Sequence, residues 1–177
     1  MPTTGIVRPV TITLAFWMLV VSAVLPLAGI PAALDWMHTY LRAAILEATA
    51  PSGRAKALTF IEQFNATSAP LVWISALVGI AVSILIALGI RAGMNWVRIL
   101  LTVFAGLSLL GYLGNAAVAL MVSIPGAVMF VPPVIVYVFS ILSAVLYIAA
   151  TVLTWLRPSN EYVAARRAAA LGGGYLR

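Results

Sequence analysis

The chain has 177 residues, a net charge of +6 and no cysteine, so disulfide frameworks, thiolate metal sites and cysteine nucleophiles are excluded. Hydrophobic residues make up 64%, charged residues 8%, and mean hydropathy is +1.13, where an ordinary soluble domain has roughly 25% charged residues. These values place the chain among integral membrane proteins. A spanning helix needs about 20 apolar residues, which leaves room for four spans and one modest loop but not for a separate soluble enzyme domain.

The first apolar run covers about 10–34, after Arg8-Pro9. It is longer than the core of a signal peptide, about 7–15 residues, and a cleavage site would have to fall around Ile30-Pro31-Ala32, so it reads as a span rather than a leader. Pro26 removes the hydrogen bond to the Ser22 carbonyl. A kink is expected there, with the Ser22 side chain or a neighbouring helix satisfying the freed group.

Residues 35–69 form the one sizeable polar segment, in which Arg42, Arg54 and Lys56 balance Asp35, Glu47 and Glu62. Met37, Tyr40, Leu41, Ala44, Ile45 and Ala48 recur at helical spacing, which predicts an amphipathic helix over 35–49. Pro51-Ser52-Gly53 breaks it, and a second short helix is expected over 55–65. Both stripes suit helices lying on the bilayer surface or capping the bundle. Asn65-Ala66-Thr67 matches a glycosylation sequon of a kind common by chance. Asp35 and His38 with Ser52 or Ser68 sketch a hydrolase triad, and His38 with Asp35, Glu47 and Glu62 a metal site. Neither comes with an oxyanion hole, a nucleophile elbow or ligand spacing, so no catalytic, cofactor-binding or metal-ligating residue is assigned and the chain is read as non-enzymatic.

The second span covers about 70–90, and in it Ser75, Gly79, Ser83 and Ala87 recur every four residues. Water cannot drive helices together inside a bilayer, so association relies on close backbone approach, which small residues permit. This stripe is a candidate packing seam, either within the chain or with another protein. Arg91-Ala92-Gly93-Met94-Asn95-Trp96-Val97-Arg98 then forms the one short polar break between two spans, with Gly93 and Asn95 suited to a tight turn and Trp96 to the headgroup level.

The third span covers about 96–122. It holds Asn115, the most polar side chain inside any span, read as helix-packing glue contributing about 0.6–2 kcal/mol, with a ligand contact as the alternative. The link 123–133 carries no charge, and the fourth span covers about 134–156, with Tyr137 and Trp155 as interface anchors. The tail, 157–177, holds a short alanine-rich helical stretch and Gly172-Gly173-Gly174. Those glycines lack the lysine, serine and preceding strand of a phosphate loop.

Seven cations, Arg8, Arg91, Arg98, Arg157, Arg166, Arg167 and Arg177, lie at the amino end, the hairpin and the tail, against three in the first loop. The positive-inside rule then predicts both termini in the cytoplasm and the first loop outside. Arg91, Arg98, Arg157, Arg166 and Arg167 are read as meeting lipid headgroups, and nucleic acid is not expected because the arginines sit at the ends of apolar runs. The spans lack an ionisable group at mid-depth, which weighs against a pump or proton-driven carrier.

Three short segments carry a resemblance: Arg8-Pro9 followed by Ala15-Phe16-Trp17; Asn95 to Val103; and Arg157-Pro158-Ser159-Asn160-Glu161-Tyr162. Together they resemble small four-helix integral membrane proteins of actinobacteria. The resemblance implies a four-helix membrane architecture and no particular activity, and the first loop matches only in position and apolar character.

The expectation is therefore an all-α, four-transmembrane-helix bundle in a single membrane domain, in the bacterial cytoplasmic membrane. Membrane lipids, and other membrane proteins or further copies of itself, are the expected partners. Its role is read as an accessory, assembly or scaffolding subunit of an envelope or respiratory complex. The alternative is a small-molecule or lipid-binding or transport membrane protein with a cavity lidded by the outer loop and lined by Ser22, Pro26, Ser75 and Asn115.

Overall fold

The computed structural model describes residues 7–121 and 133–172, with side chains throughout except at 112, 115–121 and 170–172. The described residues are helical, without a strand. Helix α1 is Val10–Val24 and α2 is Ile30–Ala48, α3 is Arg54–Arg91, α4 is Asn95–Met121, α5 is Val134–Trp155 and α6 is Arg157–Gly172. Three helical runs are long and apolar enough to cross a membrane: Val10–Ala48, Pro51–Arg91 and Val134–Trp155.

Between α1 and α2 the chain tightens into a 3-10 stretch, Leu25–Gly29, and does not break. Pro26 cannot donate to the Ser22 carbonyl, and Ser143 of α5 takes its place, donating its hydroxyl at 2.6 Å. The expected compensation by a neighbouring helix is thus present. Gly29 makes the approach of α5 close: a Cβ there would stand 3.7 Å from the Val136 Cα.

The segment 35–69 differs most from expectation. α2 begins at Ile30 and continues the direction of the first span, and α3 runs unbroken from Arg54 through Pro70 to Arg91. There is no separate helix over 55–65 and no new start at 70. The two helices instead pack on one another as an arm that turns at Thr49–Gly53, with Ile61 buried on its inner side. Continuing an existing helix adds a hydrogen bond per residue, whereas a fresh nucleus is costly and leaves terminal N–H and C=O groups open near the apolar layer. Pro70 forfeits one hydrogen bond, and that is the lesser cost. At about 1.5 Å per residue the 38 residues of α3 span about 57 Å, against a hydrocarbon core of about 30 Å, so the helix is longer than a single crossing requires.

α1 is the central element. Ile12, Ala15, Phe16, Leu19 and Ser22 recur on one helical face, all buried against α3 and α5. The core they start is lopsided. It continues through Ala87, Ile90, Val97, Leu101, Ala150, Tyr162 and Val163, all at the end of the molecule that carries the hairpin and the tail. The uncharged link expected over 123–133 lies outside the described residues except for Pro133, as do Gly173, Gly174 and Arg177.

Candidate functional site

The hairpin between α3 and α4 closes in a helix-ending motif that requires a left-handed residue. Gly93, at φ +82°, donates its N–H to the Ile90 carbonyl at 2.9 Å, and Met94 donates to the Gly89 carbonyl at 3.0 Å. α4 starts at once at Asn95. Because the turn is so short, Val97 lies against Gly89, where a Cβ would come within 2.8 Å of a Val97 methyl.

The tail is a second structural layer over this turn. α6 starts directly after Leu156 and folds back beneath α1, α3 and α4. Three sets of contacts hold it. The Arg98 guanidinium lies 4.4 Å from the centre of the Trp155 ring and donates from Nη2 to Asn160 Oδ1. Asn160 Nδ2 donates to the Trp155 carbonyl at 2.9 Å. Trp155 Nε1 donates to the Thr102 hydroxyl at 2.9 Å, and that hydroxyl donates to the Arg98 carbonyl, also at 2.9 Å. The circuit is closed: α4, α5 and α6 are tied through four residues. In the second set, the Ser159 hydroxyl donates to the Leu153 carbonyl and accepts from Thr11 of α1, each at 2.8 Å. In the third, the Tyr162 hydroxyl donates to the Arg91 carbonyl at 3.0 Å and accepts from Arg166 Nε at 3.2 Å. Burial pushes the Tyr162 phenol up, but hydrogen bonds and positive charge from Arg166 and Arg8 outweigh it, leaving its pKa below the ordinary value.

The arginines expected at lipid headgroups therefore divide. Arg98 is 2% exposed, because its stem starts on the first turn of α4 and α6 closes over it, and it borders the groove between those two helices. Arg91 is half-buried, its guanidinium 5.1 Å from the centre of the Phe16 ring. Arg157, Arg166 and Arg167 are exposed, and Arg157 pairs with Glu161 at 2.8 Å. Trp96 is 63% exposed beside them.

The small-residue stripe divides as well. Ala87 is fully buried, and Ser83 is half-buried and donates to the Gly79 carbonyl at 2.8 Å. Ser75 and Gly79 are exposed, and among the described residues no atom lies within 4 Å of a Cβ built on Gly79. Among the described residues, the stripe is packed within the chain at its Ala87 end. The Asn115 side chain lies outside the described residues.

A cleft of about 210 Å³ opens between the helices near Ser83, lined by Ser22, Ser83, Ser108, Ser143 and Tyr147. Of the residues expected to line a lidded cavity, Ser22 borders it, Pro26 and Ser75 do not, and the Asn115 side chain lies outside the described residues. In the arm, no group of three His, Cys, Asp or Glu side chains comes together among the described residues, so Asp35, His38, Glu47 and Glu62 do not converge.

Composition and periodicity did not single out Thr102, Ser159, Asn160 and Tyr162 as a site. The signal that could have found them is their place in short segments at span ends, where polar residues have free helix termini to satisfy. No protein-family model, no curated protein and no solved structure matches the chain.

Proposed function

We propose that this chain is a non-enzymatic, four-span subunit of the bacterial cytoplasmic membrane that helps to assemble or scaffold a larger envelope or respiratory complex. α4, with 27 residues and one arginine near its start, is the fourth crossing, and both termini lie in the cytoplasm. The observation that carries the reading is the uncovered length of α3. Only 6% of its most apolar window is buried, and Ser75 and Gly79 offer a smooth strip for another helix to approach. The arm made by α2 and the first half of α3 extends that surface outward, with the stacked Phe60 and Phe64 rings 55% and 40% exposed.

Photo-crosslinking in native membranes tests the reading. A probe at Gly79 or Phe60 is expected to form one discrete adduct with a second protein, and a probe at the buried Leu101 none. Adducts with lipid alone at Gly79 and Phe60 would overturn it. The orientation has its own test, because the chain lacks cysteine. Cysteine introduced at Arg54 should react with an impermeant thiol reagent in intact cells, and cysteine at Met94 should not. The reverse pattern would invert the assigned topology.

The hydroxyl-lined cleft favours a second reading, a binder of a small uncharged ligand. Its 210 Å³ suits a compact molecule, and most of its hydroxyls are already committed to backbone carbonyls, which leaves acceptors facing the space.

A further inference from the structure

We infer that the groove between the first turn of α4 and α6 is a binding site for a phosphate group. Asn95, Arg98, Asn160 and Arg167 line it, over the small side chains of Ala164 and Ala168, and its volume is about 430 Å³. Two independent features point to an anion. α4 opens into the groove with its first N–H groups unpaired by the helix and with no acidic residue in its first turn, so the positive end of a 27-residue helix is uncompensated there. Arg98, 2% exposed, uses Nη2 on Asn160 but leaves Nε buried and without an acceptor. A buried guanidinium N–H with no acceptor is costly, and an oxygen entering the groove would relieve that cost.

The charge around the groove agrees. Among the described residues no carboxylate lines it, and the nearest acidic side chain in sequence, Glu161, is engaged by Arg157. Arg166 and Arg167 extend the positive surface around α6 toward Trp96, and together these three line an adjoining hollow of about 640 Å³. Phosphate oxygens fit this donor set better than a carboxylate would, because three acceptor oxygens can meet Arg98, Arg167 and the helix terminus together. The group could come from the headgroup of an anionic phospholipid, which the exposed tryptophan would keep at the right depth, or from a soluble phosphate. The site does not depend on the chain being a subunit of a larger complex.

The test uses the full chain in neutral detergent, titrated with short-chain phosphatidic acid, inorganic phosphate and short-chain diacylglycerol, which has the same lipid body without a phosphate. Arg167→Gln is expected to weaken phosphatidic acid binding about fivefold. Arg157→Gln, which removes the same charge outside the groove, should leave it within twofold of wild type. Binding of phosphatidic acid but not inorganic phosphate identifies a lipid source, and equal binding of both a soluble one. Equal weakening by the two substitutions, or the phosphate-free diacylglycerol binding as tightly as phosphatidic acid, would overturn the inference, as would failure of both phosphate probes to bind.

Discussion

Two stretches of the same helix behave differently. Toward its end, α3 is enclosed: Ala87 and Ile90 are fully buried, Gly89 meets Val97, and Gly93 just beyond lies under Arg166 and Tyr162. Two to three turns earlier, Gly79 has open space where its Cβ would be, and Leu77 and Val78 are more than half exposed. Both stretches are apolar and both carry small residues, so residue type does not separate them. What separates them is the second layer. α6 returns over the hairpin and supplies partners that exist at that end alone, whereas the middle of α3 has only the neighbouring spans. Small residues at the enclosed end are needed because something is already there; at the open end they leave room for something else.

The sharpest way to break the contrast is to remove the circuit that holds α6. Arg98→Ala would strip the guanidinium from Asn160 and Trp155, two interactions that together are worth about 2–4 kcal/mol. Thermal unfolding in detergent should show a large loss, and protease should cut α6 more readily. An unchanged melting temperature would mean that α6 is held by its other contacts alone.

The glycines give a finer comparison. Gly93→Ala places a side chain at φ +82° and 3.3 Å from Arg166, so a loss of about 1–2 kcal/mol is expected in the same measurement. Gly79→Ala meets no described neighbour and gains up to about 1 kcal/mol of helix propensity, so the isolated protein should be as stable as wild type or slightly more so. A loss above 1 kcal/mol at Gly79 would show that its face is covered within the chain. Within the small-residue stripe, Ala87 is the fully buried member.

Much of the fold was legible because membrane solvation is a strong and simple constraint. Long apolar runs must be helical to satisfy their backbone; α5 begins and ends within a residue of its expected limits, and α4 begins within a residue of its own. The Pro26 kink and its repair from a neighbouring helix were legible too, since a proline removes one identifiable hydrogen bond and the bilayer offers no water to replace it. The arm was not. Amphipathic periodicity over 35–49 and 55–65 is the same for a helix lying on a surface and for one packed against a partner, and Pro70 reads locally as a start.

What the amino-acid order settled by itself was therefore class, helicity, the hairpin at Gly93 and the crowding of arginines at one end, each a property of composition or of a few adjacent residues. What only the tertiary structure decided was which of those arginines faces outward and which is enclosed. Arg98 and Arg167 are alike in sequence terms, basic residues near span ends. One is buried between Trp155 and Asn160 and the other is exposed on α6, because the direction in which α6 folds back depends on contacts between residues 62 positions apart or more. No local pattern encodes such a distance, and so the groove that these two arginines share could not be read from the chain alone.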